Sequence, residues 1–315
     1  MRGKINTYVV FGWIWLGLMC RFVSAEVVYR LDIEATWSPT THPGAFPGGA
    51  HFTRIVGGTH NDLVTFWEPG EMATPGLESV AEVGGTSLFS NEIQTAIANG
   101  TAASAIAAPR LSGLPNSTSS SFSISESHPL VTLASMVAPS PDWFVGVTGL
   151  TLRENDAWLG RVTIDLDAYD AGTEEGEIFS LSNPATTPQD VIRRITTGPL
   201  ASLPPVGTIT LTIQPNELAG DFNLDGVVNG DDALFWQAGL RNFPDGSATV
   251  IDGDANADGF VNGSDFLLWQ QNLGQSLSGT VAAVSVPETE TFVLLILGWI
   301  LAANCPVERA TFFRD

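Results

Sequence analysis

Lysine is almost missing from this 315-residue chain: Lys4 is the only one, and all Lys and Arg together number 13 against 34 Asp and Glu. The formal net charge of −21 excludes a polyanionic partner such as nucleic acid, which binds through released counterions at basic surfaces, and suits metal cations instead. Cysteine is as scarce. Cys20 and Cys305 lie in apolar end segments, so no disulfide framework, thiolate zinc site or Cys–His nucleophile can be built in the body of the chain. The four histidines, His42, His51, His60 and His128, fit no helical metal-ligand spacing, and no Gly-x-Ser-x-Gly elbow or Gly-rich phosphate loop is present. Carboxylates abound, but the acids that cluster do so in calcium-loop spacing and need no catalytic reading. The expectation is a protein without catalytic machinery.

What is present is a duplication. Residues 221–232 read DFNLDGVVNGDD and residues 254–265 read DANADGFVNGSD. Each window has Asp, Asn and Asp at positions one, three and five, Gly at six, Asn at nine and Asp at twelve. A hard cation such as Ca2+ takes six to eight oxygens, so oxygen-bearing side chains alternate along a tight coil that a Gly lets turn. The first loop would supply Asp221, Asn223, Asp225, the carbonyl of Val227, Asn229 (directly or through water) and Asp232. The second would supply Asp254, Asn256, Asp258, the carbonyl of Phe260, Asn262 and Asp265. Two copies matching at every ligand position predict two calcium ions.

Composition divides the rest. Arg2 and Lys4, an apolar run over 8–19 and Val23-Ser24-Ala25 read as an export signal over 1–25, with the mature protein starting at Glu26. Period-two alternation at 29–37, 162–166 and 209–213 predicts half-buried strands, and 63–67, 130–133 and 143–152 are further strand candidates. One helix is expected, capped by Ser90, with Ile93, Ala96 and Ile97 on one face and Gly100 past its end. Glu68, Glu71, Glu78 and Glu82 read as loop residues. Many short strands separated by Gly, Pro, Ser and Asn argue for a mainly β fold, an antiparallel β-sandwich over 26–216. Residues 214–219 form a short linker. Between 219 and 275 stand nine Asp, no Glu and the single basic residue Arg241, a run that repels itself unless a cation neutralises it. Each loop is followed by a short amphipathic helix, and Trp236-Gln237 repeats as Trp269-Gln270. Trp236, Trp269, Leu234 and Leu267 read as core, and Val228 and Val261, at position eight of each loop, are expected to pair backbone to backbone.

Certain stretches carry resemblances. PSPDWFVG at 139–146 and YDAGTEEG at 169–176, with AHFTRIVGGTHN at 50–61 and FWEPGEMATPGLESVAEVGG at 66–85, resemble the spondin N-terminal domain. That likeness implies an eight-stranded antiparallel sandwich binding one further calcium ion, with Asp142, Asp170 and Glu174 falling on the ligand positions. Loop then helix, twice, over about 220–274, without the leading helix of an EF-hand and with Asp at position twelve, resembles a type I dockerin. It implies a small α-helical domain (217–276) with a near two-fold helix pair that docks onto a cohesin-like surface protein, through Gly230 and Asp231 in one copy and Gly263 and Ser264 in the other. After a linker over 277–285, the tail 286–315 places Val286-Pro287-Glu288, an apolar stretch over 292–303 and terminal Arg in the order of a PEP-CTERM sorting signal, which a membrane transpeptidase removes. Its apolar core is short of the roughly 20 residues a spanning helix needs; a plain membrane anchor is the other reading.

Together these predict an exported extracellular or envelope protein in which the β-domain binds a glycan or matrix ligand and the repeats dock it to a partner. Two other readings stay open, an accessory or enzyme of polysaccharide breakdown recruited through its dockerin, and a structural matrix protein.

Overall fold

The computed structural model describes residues 26–201 and 203–277. The export signal expected over 1–25 and the tail over 286–315 lie outside the described residues. Among those described, no helix is long and apolar enough to cross a membrane. The described residues up to Ser276 form one compact unit.

In chain order the main elements are β1 (Val27–Ala35), β2 (Ile55–His60), α1 (Pro75–Val83), α2 (Ser87–Ala98), β3 (Ala102–Ala108), β4 (Asn116–Ile124), β5 (Leu130–Ala138) and β6 (Trp143–Thr151). There follow β7 (Arg161–Asp165), β8 (Ala168–Asp170), β9 (Gly207–Ile213), α3 (Gly230–Gly239) and α4 (Gly263–Asn272). The fold is mainly β, and its strand pairs are antiparallel.

The alternation in β1 buries Val27, Tyr29, Leu31, Ile33 and Ala35 and turns the residues between them outward or toward the rim. β1 lies between β4 and β9 in a four-stranded sheet of order β7-β9-β1-β4, with Leu31 opposite both Leu211 and Ser120. The larger sheet runs β8-β6-β5-β2-β3, extended to eight strands by the two-residue pieces His51–Phe52, Leu111–Ser112 and Arg193–Arg194. Inward residues of both sheets, among them Leu31, Ile33, Ile209, Leu133, Val145 and Phe52, form one core. A second core lies where α1 and α2 bring Leu77, Val80, Phe89 and Ile93 against Val56, Ala134 and Phe144 of the larger sheet.

Five expectations change here. Residues 63–67 form a loop: Phe66 and Trp67 are anchored in the second core while Leu63 is exposed, so their apolar character reflects anchoring and not pairing. The expected helix exists, but it starts at Ser87, a turn before Ser90. A second helix, α1, was not expected. Thr74 caps it, its Oγ1 accepting the Leu77 N–H at 3.2 Å, Pro75 opens it, and Gly84 ends it at φ +65°. Glu78 and Glu82 therefore stand on a helix and not in a loop. β5 is longer than expected because it is buried on both faces between the two cores, which leaves no alternation to read.

Candidate metal centres

In both twelve-residue loops the acidic side chains hold the chain's own amides. Asp221 is fully buried; its Oδ1 accepts the Asp225 N–H at 3.1 Å and its Oδ2 the Gly226 N–H at 2.8 Å. Asp232 Oδ1 accepts the Phe222 and Asn223 N–H groups at 2.8 and 3.2 Å, and Oδ2 accepts that of Asn229 at 2.8 Å, tying the loop's end to its start. Asn223 Nδ2 donates to Asp225 Oδ2 at 2.9 Å, and Asp225 Oδ1 accepts the Val227 N–H at 2.9 Å. The second loop repeats each bond. Asp254 takes the Asp258 and Gly259 amides at 3.2 and 2.7 Å, and Asp265 those of Ala255, Asn256 and Asn262 at 3.0, 3.4 and 2.8 Å. Asn256 Nδ2 donates to Asp258 Oδ2 at 2.9 Å, and Asp258 Oδ1 accepts the Phe260 N–H at 2.9 Å. Gly226 and Gly259 both stand at φ +86°, the sharp turn their position demands.

Burial raises the Asp221 carboxyl above the usual carboxylate range, and the negative charges of Asp232 and Asp225 add to the rise. Asp254 is raised for the same reasons, burial first, then Asp265 and Asp258. Among the described residues no set of three or more His, Cys, Asp or Glu side chains is gathered as a metal cluster. The donor set of each loop is instead a mixture of carboxylate, amide and carbonyl oxygens, the oxygen-only chemistry of a hard cation.

The helices that follow are built by the same repeat. Asn229 and Asn262 cap α3 and α4, each in a box completed by Asp232 or Asp265. Trp236 Nε1 donates to the Asn262 carbonyl and Trp269 Nε1 to the Asn229 carbonyl, both at 2.8 Å. Phe266 packs between the two indoles, tilted against Trp236 at 4.7 Å and stacked on Trp269 at 5.3 Å. Gly220 and Gly253, each preceding a loop, approach the opposite helix so closely that an added Cβ would lie 2.7 Å from Trp269 Cα or 2.6 Å from Trp236 Cα. The halves are thus related by an approximate two-fold exchange. Val228 and Val261 do not pair. The Val228 N–H donates to Gln275 O and its carbonyl accepts the Gly274 N–H, because the chain returning from α4 closes that edge first. Leu234 and Leu267 are not core either, being 62% and 56% exposed at matching places. Gly230, Asp231, Gly263 and Ser264 are exposed at the starts of α3 and α4.

A third candidate lies on the β-domain. Asp142, fully buried in the turn before β6, accepts at Oδ2 the Thr173 and Glu174 N–H groups at 2.7 and 3.1 Å. Its Oδ1 is the one buried side-chain oxygen or nitrogen among the described residues with no hydrogen-bond partner. Asp170, at the end of β8, accepts the Gly172 N–H at 2.8 Å and is pushed up to about 6 by burial and then by the charge of Asp142. Glu174 is raised by burial and by Asp142 against the pull of Asn183. Glu82, a loop residue by sequence pattern, reaches the same acidic neighbourhood from α1. Burial raises it, Thr173 nearby opposes the rise, and Glu174, Glu78 and Asp142 all raise it further. The signal available was Thr74-Pro75 as a helix start, which places Glu78 and Glu82 on one face. Beside these groups opens a cavity of about 400 Å³ whose lining includes Trp143, Asp170, Glu174, Asp190 and Arg193. The unpartnered Asp142 oxygen is the donor chemistry a calcium ion takes, but Asp142, Asp170 and Glu174 are not gathered into a metal cluster.

Comparison with known proteins agrees with these two architectures. The Spondin_N family model matches residues 27–202, and the model of the dockerin type I domain matches residues 219–274. Human Spondin-2 is 32% identical over 202 residues, covering 58% of this chain and 60% of its own length. Mouse Spondin-1 is 33% identical over 177 residues, 53% of this chain and 22% of its own length. The chain thus spans about 60% or less of the length of these curated relatives. Both modules are of non-catalytic types. The chain belongs to the spondin N-terminal family, and its spondin domain is followed by a type I dockerin domain.

Proposed function

We propose that this is an exported, non-catalytic docking protein that works extracellularly or at the cell envelope, in which a spondin-type β-sandwich (26–216) is joined to a calcium-set dockerin (217–276) that binds a cohesin-type protein. The observation that carries the reading is the pair of loops, equal at every predicted ligand position and in the hydrogen bonds by which those side chains hold the loop's own amides. Asp221, Asn223, Asp225, Val227, Asn229 and Asp232 would hold one calcium ion in an EF-hand-like loop, their counterparts at 254–265 a second, and Asp142, Asp170 and Glu174 a third. Bound calcium would neutralise buried carboxylates that otherwise repel one another and so contribute folding free energy to a module of small core. Gly230, Asp231, Gly263 and Ser264, with exposed Leu234 and Leu267 a turn further on, offer the partner two like faces.

Calcium calorimetry on the intact mature protein tests this reading. A stoichiometry near three supports all sites, two removes the β-domain site, and none ends the calcium reading. Capture of a cohesin-type partner from envelope extracts should be reversed by chelator. A partner that stays bound in chelator contradicts calcium-dependent docking.

A further inference from the structure

The two loops are twins in their ligands but not between them. Positions two and four are Phe222 and Leu224 in the first loop, Ala255 and Ala257 in the second. Leu224 and Ala257 share a left-handed backbone, φ +60° and +57°, so the coil presents both side chains alike. Yet Leu224 is 7% exposed whereas Ala257 is exposed; at position two both loops are buried in one core, but the first seats the large Phe222 ring there and the second only Ala255. A near two-fold module cannot by itself bury one member of a related pair and expose the other. The covering surface comes from outside the repeat, and the β-domain provides it: Phe222 and Leu224 belong to the same core as Val27, Tyr29 and the inward face of the four-stranded sheet. With Val27, Ala157, Trp158 and Ile251 they line one cleft of about 400 Å³. Gly160 closes the contact. A Cβ there would lie 2.4 Å from Thr249 Oγ1, in the turn between the repeats.

We infer that the first loop is an intramolecular latch: the turn that its ligands set seats Phe222 and Leu224 on the β-domain, so that calcium at this loop, and not at the second, is coupled to locking the dockerin against the spondin domain. The inference rests on the calcium reading of the loops given above. It makes the two sites unequal in affinity despite matching ligands, because only the first gains or loses an interface on binding. It also fixes the direction in which the second half of the repeat is offered to a partner.

The variant Phe222→Ala/Leu224→Ala converts DFNLDG into DANADG, the sequence the second loop already folds with, and leaves every ligand in place. In the full mature chain, calcium should slow hydrogen exchange at residues 27–28 and 156–160 of the wild type. The double variant should lose that slowing and bind one of its loop ions about tenfold more weakly, the other unchanged. Asp221→Ala should lose the slowing as well, whereas Asp254→Ala keeps it. If the double variant titrates like the wild type with slowing intact, or if Asp254→Ala abolishes the slowing as fully as Asp221→Ala, the latch is wrong while calcium binding stands. If the wild type takes up no calcium at all, the functional reading fails with it.

Discussion

Asp142 shows how much a single side chain can say. Its Oδ2 satisfies three donors of the 173–174 turn, and its Oδ1 is buried with none. An unpaired carboxylate oxygen out of water is costly unless a cation or proton meets it. Burial accordingly raises this carboxyl, with the Glu174 and Thr173 amides opposing the rise. Asp142→Asn keeps an acceptor for the turn and removes the charge. The expected result is a calcium stoichiometry lowered by one, with both loop ions still titrating; calorimetry of the variant beside the wild type checks it. A second residue carries a pH dependence. His60 is buried, its Nδ1 donating to Asn61 O and its Nε2 accepting from Thr132 Oγ1, each at 2.8 Å, which fixes a neutral tautomer. Burial lowers its affinity for a proton, and His128 lowers it further, against hydrogen bonds to Asn61 and Val64. The unfolded chain titrates near 6.5, so below that value the unfolded state holds a proton the folded state refuses. The contribution is fully present above pH 6.5 and is lost as the pH falls from there toward the lower folded value. Melting temperatures measured from pH 8 down to 5 should decline below 6.5, and an NMR titration placing His60 above 6.5 would contradict the account.

Among the elements, α1 is where sequence and structure part. Thr74 Oγ1 accepts the Leu77 N–H and donates to Glu92 Oε2 at 2.8 Å, while Glu92 Oε1 accepts the Gly76 N–H at 2.7 Å, so α2 supplies half of the cap of α1. Thr74→Ala should therefore cost about 1 to 2 kcal/mol in thermal or denaturant unfolding. Because α1 carries Glu82, the change should also weaken calcium binding at the β-domain while sparing the loops. Legibility in the sequence followed the same physics. Strands with one wet face, β1 and β9, were readable from alternation, and the loops from ligand spacing. β5 was half-read because both its faces are buried, and 63–67 misled because Phe66 and Trp67 are anchors without a partner strand. α1 escaped because Gly76 stands where a larger apolar residue would have marked the stripe; an added Cβ there would lie 2.5 Å from Glu92 Oε2. Of the site residues, ligand identity was legible and the reach of Glu82 was not, since it depends on how α1 lies over the sheet. Leu234 and Leu267 carried a core pattern and are exposed at matching places of α3 and α4.

At the scale of the whole molecule, charge decides. Nine Asp between 219 and 275 face Arg241 as the only basic residue, and two carboxylates of each loop, Asp221 with Asp232 and Asp254 with Asp265, are buried. Simple screening cannot relieve this, because at ordinary ionic strength the Debye length of about 8 Å leaves groups within one loop unscreened. A specific cation can, by standing between them. The reciprocal Trp236 and Trp269 bonds then have a fixed frame to close on, since each indole reaches a carbonyl at position nine of the opposite loop. Two consequences separate specific binding from screening. Helical circular dichroism of the mature chain should rise with calcium and fall with chelator, whereas about 1 M sodium chloride in chelator should leave it low. Trp236→Phe, which keeps an aromatic ring and removes one inter-repeat hydrogen bond, should lower the calcium-loaded melting temperature by an amount equivalent to about 1 kcal/mol. The same change should have far less effect in chelator, where the opposite carbonyl is no longer held in place. A loss equal in both conditions would mean that the repeats close on one another without the cation, and that the buried carboxylates are held apart by the protein alone.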